Sequence, residues 1–259
     1  LLGSGGLGKT YLVTLLAQGL FGLENQKAKL IVINGGELAN EHDSTKVLGS
    51  PPSYVGFGEE NLCDKFKREP NSIFLFDEIE KAHDKILRLF FKAFSEGYMT
   101  DASGNNVSLK NTLIFLTSNI GVDSLLKSET IKLNQPGATS NVENRLTKEK
   151  LLGKLKDRLD QSFIDRITGI TVFENFTDED IKNMINLNLK NLILEIEEKT
   201  SIPVKYPKNL SDQMYESLMD KVTLRDPFSV RSLERLMKKL RQSLVDQLLE
   251  NKATLKLKL

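Results

Sequence analysis

The chain is short of cysteine, of any excess of one charge and of long apolar runs. Its single cysteine, Cys63, rules out an internal disulfide, and the expected home is a reducing compartment, the cytoplasm. No basic residue stands beside that thiol to make it a nucleophile, so it reads as a partly buried spectator. No uninterrupted stretch of apolar residues reaches membrane-spanning length, and no membrane partner is expected. No secretory signal precedes the first apolar residues, although a chain that opens inside a strand is expected to be a piece of a longer one. The 36 basic and 35 acidic residues nearly cancel, to +1. They are interleaved, without the basic stripe of proteins that track a phosphate backbone, which argues against a nucleic-acid partner. With 259 residues, 39% of them hydrophobic, the chain is long enough for one large core or two domains.

What is present begins at once: Gly3-Ser4-Gly5-Gly6-Leu7-Gly8-Lys9-Thr10 is a complete G-x-x-x-x-G-K-T phosphate loop. Backbone N–H groups can wrap an anion only where the loop adopts conformations that side chains block, hence the glycines. In such a loop the lysine reaches the β- and γ-phosphates and the threonine hydroxyl ligates magnesium, so ATP and Mg2+ are the expected cofactors. Leu1-Leu2 precede the loop like a strand end, and Tyr11, Leu12, Leu15, Leu16 and Leu20 follow at helical spacing.

A second apolar run, Ile73-Phe74-Leu75-Phe76, ends in Asp77-Glu78. Four apolar residues in a row indicate a strand buried on both faces, and ligands of parallel sheets sit beyond the carboxyl ends of the strands. Asp77 would hold the magnesium through water, and Glu78 would polarise the water that attacks the γ-phosphate. A third run, Leu113 to Leu116, ends in Thr117-Ser118-Asn119, where Asn119 is either a turn former or a residue that orients that water.

Helical and strand patterns alternate up to about residue 175: a helix after Lys9, strand Leu30 to Ile33, a helix from Glu59, strand Ser72 to Phe76, helix Asp84 to Phe94, strand Thr112 to Thr117 and strand Ile170 to Phe173. That alternation predicts an α/β fold, a parallel sheet flanked by helices, over residues 1–175. Met99 to Asn111 reads as a hairpin with its turn at Asp101 to Asn106, and the polar stretch 128–147 as a surface loop. From residue 176 the texture is mainly helical. Thr177 is a cap, one apolar stripe runs from Ile181 to Ile196 and another from Leu233 to Leu248, and Leu255, Leu257 and Leu259 alternate as a short strand. Residues 176–259 are therefore expected to form a smaller domain.

Phe76-Asp77-Glu78-Ile79-Glu80-Lys81-Ala82-His83, Thr117-Ser118-Asn119-Ile120-Gly121 and Gly49-Ser50-Pro51-Pro52-Ser53-Tyr54-Val55-Gly56 together resemble the AAA+ ATPase module of the Clp unfoldase family, in its second, carboxyl-terminal ring of ClpB and ClpV type. The resemblance runs from residue 1 to about 250. It implies a P-loop ATPase core with a small lid domain, ATP hydrolysis, and threading of protein substrates through a homo-hexameric ring. It makes Asn119 the sensor-1 residue, Arg166 in Phe163-Ile164-Asp165-Arg166 a finger that serves the neighbouring subunit, and Arg231 the sensor-2 arginine. Planar guanidinium groups suit the spread charge of a transferring phosphoryl group. Tyr54-Val55 becomes the pore loop, whose aromatic ring grips polypeptide without reading its sequence.

Several positions depart from the family pattern: Ser53 for a glycine before the pore tyrosine, Asn61 after Glu59-Glu60, Ser229-Val230 before Arg231, and Asn105 for the hairpin arginine. No apolar-Gly-apolar docking tripeptide occurs between residues 128 and 147, so a ClpP-type protease partner is not expected. Leu89-Phe90-Phe91, Lys110-Asn111-Thr112 and Gly121-Val122-Asp123 look more like ClpV, which disassembles type VI secretion sheaths, whereas Phe163 to Arg166 looks more like the general disaggregase ClpB. The expectation leans to ClpV. A nucleic-acid-remodelling AAA+ ATPase and a non-hydrolysing ATP-gated scaffold are the competing readings.

Overall fold

A strand of bulky apolar residues placed at the centre of a sheet hides both of its faces, and Ile73 to Phe76 does so here. The computed structural model describes residues 1–51, 53–54, 57–120, 153–154, 156, 159, 161–220, 222, 228–250 and 254–257. Two compact units emerge: Leu1–Gly3 with Gly8–Phe173, and Ser4–Leu7 with Glu174–Leu259. The first contains helix α1 (Lys9–Lys29), strand β1 (Leu30–Asn34), helices α2 (Ser44–Leu48) and α3 (Leu62–Arg68), and strand β2 (Ile73–Asp77). Helix α4 (Asp84–Glu96), strands β3 (Tyr98–Thr100), β4 (Asn106–Ser108) and β5 (Leu113–Leu116), and the short helix α5 (Gln161–Ile164) follow.

The sheet order is β1-β2-β5, parallel throughout, with Leu30 opposite Ile73 and Asn34 opposite Asp77 on one side and Phe76 opposite Leu116 on the other. Phe74 and Phe76 face the main cluster, their rings 5.2 Å from Phe66 and 4.8 Å from Phe90 respectively. Ile73 and Leu75 face the opposite way, onto Val13 and Ala17 of α1. Helices thus cover both faces of the parallel sheet, the arrangement that a fully apolar central strand requires.

Two elements differ from the sequence reading. Ile170 to Phe173 forms no strand: among the described residues only Leu2 pairs with it, bridging Val172 and Ser118, which is too little for a continuous ladder. The helix expected from Glu59 begins at Leu62, because Asn61 caps it. The Asn61 side chain accepts the Asp64 N–H at 3.1 Å while the Asp64 carboxylate accepts the Asn61 N–H at 3.4 Å. The expected surface loop at 128–147 lies outside the described residues.

The β3–β4 hairpin turns through Asp101. Its carboxylate accepts the N–H groups of Ser103 (2.9 Å) and Asn105 (2.8 Å) and an ammonium hydrogen of Lys67 on α3 (2.7 Å). Burial works against the charge, but the hydrogen bonds from Lys67 and Asn105 outweigh it and pull the carboxyl down to about 2. Asn105, in the place of the family's arginine, serves this local turn. Cys63 is fully buried, and burial, reinforced by the Asp101 charge, pushes its thiol up to about 12, which leaves it inert.

The second unit is built on α6 (Asp178–Thr200), β6 (Val204–Lys205), α7 (Leu210–Met219), α8 (Val230–Leu249) and β7 (Leu255–Lys256). Thr177 starts α6 with a reciprocal cap: its hydroxyl accepts the Asp180 N–H at 3.1 Å, and Asp180 accepts the Thr177 N–H at 2.9 Å. Ile181, Ile185, Leu189 and Ile196 from α6 meet Leu233, Leu240 and Leu244 from α8 in one core. Arg241 clamps Glu195 with two nitrogens, at 2.9 and 2.6 Å. β7 pairs in parallel with β6, and Lys258 and Leu259 of the expected terminal strand lie outside the described residues.

Phe90 is 0% exposed and touches the rings of both Phe74 and Phe76, so Phe90→Ala should destabilise the first unit by about 3–5 kcal/mol, measured by chemical denaturation. Because the Asp101 carboxyl falls from 3.8 in the unfolded chain to about 2 when folded, its ionised form adds stability above pH 3.8 that is lost as the pH falls through about 2. Asp101→Asn should therefore be less stable than the parent at pH 5 and lose less on acidification, and parallel pH–stability curves would contradict the assignment.

Candidate nucleotide site

The three parallel strands end at one level, each on a polar residue: Asn34 closes β1, its register partner Asp77 closes β2, and Thr117 follows β5. Side chains at that edge converge on the start of α1. Gly8 provides the entry, with a φ of 90° in the left-handed region that glycine takes without cost. Directly after it, Lys9 is only 6% exposed. Its ammonium donates to the Gly3 carbonyl and to the Asn119 side-chain oxygen, both at 2.7 Å. A buried ammonium set between neutral oxygens at a helix N-terminus suits a polyanion such as a triphosphate.

Thr10 donates its hydroxyl to Asp77 at 3.2 and 3.3 Å, and the Thr117 hydroxyl donates to the same carboxylate. A hydroxyl and a carboxylate in contact are the hard oxygen donors that magnesium takes, the remaining positions falling to phosphate and water. The described residues contain no group of three or more His, Cys, Asp or Glu side chains able to hold a metal by themselves. The donor set therefore fits a nucleotide-bound magnesium better than a protein-caged ion.

Glu78 adopts φ 53° and ψ 51°, a left-handed conformation that costs a non-glycine residue on the order of 1–3 kcal/mol. The neighbourhood holds it there. Its N–H donates to Thr117 Oγ1 at 2.9 Å, and Gly35 lies so close that a Cβ would stand 2.1 Å from the Glu78 carbonyl oxygen. The carboxylate accepts from Asn119 Nδ2 (3.3 Å) on one oxygen and from Asn34 Nδ2 (3.2 Å) and Lys81 Nζ (2.7 Å) on the other. Asn119 thus bridges Lys9 and Glu78, while its own N–H donates to Glu80 at 3.0 Å.

Of the residues singled out from sequence, Gly3, Lys9, Thr10, Asp77, Glu78 and Asn119 come together in the first unit. Ser4, Gly5, Gly6 and Leu7 belong to the second. Arg166 stands apart: it donates to Ser95 Oγ (2.9 Å) near the end of α4, on the order of 16 Å along the helix from its start at Asp84. Phe163, stacked on Phe91 with centroids 3.8 Å apart, anchors that segment. Arg231 lies in the first turn of α8. Tyr54 is 70% exposed and Phe57 58%, on turns in which the Tyr54 N–H donates to Pro51 and the Phe57 N–H to Tyr54; Val55 lies outside the described residues. Ser53, where the family has glycine, takes a φ of 76°. A cavity of about 600 Å³ lined by Leu113, Phe115, Phe163, Arg166 and Ile170 includes none of Lys9, Thr10, Asp77 and Glu78. Sequence reasoning missed Asn34, Thr117 and Lys81. The first two were legible as polar residues ending apolar strands, had the strand register been known.

The AAA domain family of the Cdc48 subfamily matches residues 1–170. The chain is 36% identical over 242 residues to the chaperone protein ClpB of Aquifex aeolicus, covering 92% of this chain and 23% of that protein. To the negative regulator of genetic competence ClpC/MecB of Bacillus subtilis it is 34% identical over 199 residues, 76% of this chain and 24% of that one. A closed-state cryo-electron-microscopy reconstruction of Hsp104 with ATPγS and FITC-casein superposes with a TM-score of 0.75 at 26% identity, covering 98% of this chain and 42% of that chain. This chain spans about a quarter of the length of these two curated relatives. From the phosphate loop to the residues after Arg166, this chain belongs to the AAA domain family, Cdc48 subfamily.

Proposed function

We propose that the chain is the motor module of an ATPase that remodels proteins. The convergence of Lys9, Thr10, Asp77, Glu78 and Asn119 at one sheet edge carries this reading. Lys9 and the loop N–H groups would take the β- and γ-phosphates, and Thr10 and Asp77 would hold the magnesium, which supplies neutralisation of phosphate charge when bound. Glu78 takes the proton of the attacking water, and Asn119 keeps Glu78 and Lys9 at a fixed spacing.

Arg166 lies a helix length from Glu78's end of α4, which supports its use in trans, on the nucleotide of an adjacent copy in a homo-hexamer. Arg231 would sense the γ-phosphate from the second unit. Tyr54 and Val55 would grip the substrate polypeptide. The ClpB relative favours a general disaggregase as the client class, and Leu89 to Phe91 with Gly121 to Asp123 keeps ClpV-like sheath disassembly as the second reading. The absence of an apolar-Gly-apolar tripeptide between residues 128 and 147 supports action without a ClpP-type protease, and the ClpC relative makes a peptidase-binding assay the direct check.

Glu78→Gln should lower the rate of phosphate release by about 10²–10⁴-fold while calorimetry finds ATP affinity within a few-fold of the parent. Hydrolysis at the parent rate would refute the assignment. Tyr54→Ala should leave ATP turnover within about two-fold and abolish unfolding of a labelled substrate, because it removes the grip and leaves phosphate chemistry untouched. Undiminished unfolding would count against the pore loop.

A further inference from the structure

Glu78 is asked to accept a proton, yet its carboxylate is already engaged by donors on both oxygens. The shortest of these contacts is Lys81 Nζ to Oε2, at 2.7 Å. Lys81 is not a freely swinging surface lysine at its base. It closes the single 3-10 turn Ile79–Lys81, in which side chains three residues apart are stacked in the same direction. The Lys81 N–H donates to the Glu78 carbonyl at 2.9 Å and the Ile79 N–H to the Thr117 carbonyl at 3.0 Å, while Ile79 and Ala82 are each 1% exposed. The turn therefore aims the ammonium at Glu78, and the charge remains half in water, 52% exposed against 27% for its partner.

Other charges nearby include Asp77 at the end of β2, Glu80 in the same turn, and Lys9 of α1, which shares Asn119 with Glu78. β1 and the segment after β5 present the neutral groups Asn34, Thr117 and Asn119. Lys81 is thus a cation in direct contact with the carboxylate, and an ammonium on a lone pair blocks the approach of water to that oxygen.

We propose that Lys81 is a positioning residue for the hydrolytic step: its ammonium occupies Oε2 of Glu78, and each turnover requires Glu78 to exchange that contact for the attacking water. The proposal rests on Glu78 being the general base. In this role Lys81 acts through Glu78, by setting how readily the carboxylate is released.

The test is steady-state ATP turnover of the full-length protein, at one pH, for the parent, Lys81→Met, Lys81→Arg, Glu78→Gln and the Glu78→Gln/Lys81→Met double variant. Lys81→Met should raise kcat about two- to five-fold, the range set by a partly exposed ion pair, with KM for ATP changed less than two-fold. Lys81→Arg, which keeps the cation, should return kcat to the parent value. In the Glu78→Gln background the lysine change should have no effect on the residual rate. An unchanged or lowered kcat in Lys81→Met, or the same gain in the Glu78→Gln background, overturns the proposal. If Glu78→Gln hydrolyses ATP like the parent, the general-base reading fails; if Glu78→Gln is inactive and Lys81→Met behaves as the parent, only the role of Lys81 fails. Should Lys81→Met not fold, Lys81→Gln removes the charge at similar stem length and is read by the same criteria.

Discussion

Everything at the nucleotide edge depends on β2 being hydrogen-bonded along both of its sides. A parallel ladder fixes register residue by residue, and a slip of one residue would turn every side chain to the opposite face. With Phe74 and Phe76 locked among aromatic rings on one side of the sheet and Ile73 and Leu75 against α1 on the other, such a slip would drive bulky groups into the wrong layer. The register therefore holds, and Asp77 emerges level with Asn34 on one side and with Thr117, the residue after Leu116, on the other. The acid that faces Thr10 and the threonine that supports it are delivered together by the packing of residues that take no part in the chemistry.

The second constraint is electrostatic. Lys9 is buried with a carbonyl and an amide oxygen as acceptors, a setting in which the ammonium is poorly solvated and an incoming phosphate gains most. Asn119 links this cation to Glu78 through its two side-chain polar atoms, so the group proposed to meet phosphate and the group proposed to meet water are mechanically tied. Glu78 itself is held in a left-handed conformation, between Gly35, which has no Cβ to collide with it, and the Thr117 hydroxyl that receives its N–H. Strain of this kind persists only where the surroundings dictate it.

Three of the departures from the family pattern, at Asn105, Asn61 and Ser53, fall away from this edge. Asn105 replaces an arginine and is absorbed into the Asp101 turn, where a short amide satisfies a buried carboxylate. Asn61 replaces a glycine and becomes a helix cap, which is why α3 starts later than its acidic prelude suggested. Ser53 pays for replacing a glycine with a positive φ beside the exposed Tyr54. Each is a local substitution with a local accommodation, and none reaches Lys9, Asp77 or Glu78.

The order of residues along the chain was enough to specify the phosphate loop, the doubly buried strand, the capped α6 and the carboxylate pair. These depend on short-range rules: glycine where φ must be positive, apolar runs where both faces are hidden, a threonine three residues before an aspartate. Tertiary structure alone decided that Asn34 and Lys81 reach Glu78, that Asn119 spans the site, that Arg166 rests on Ser95, and that Ile170 to Phe173 gains only one bridge. Those outcomes depend on which strand lies beside which and in what register, a long-range pairing that no local spacing encodes.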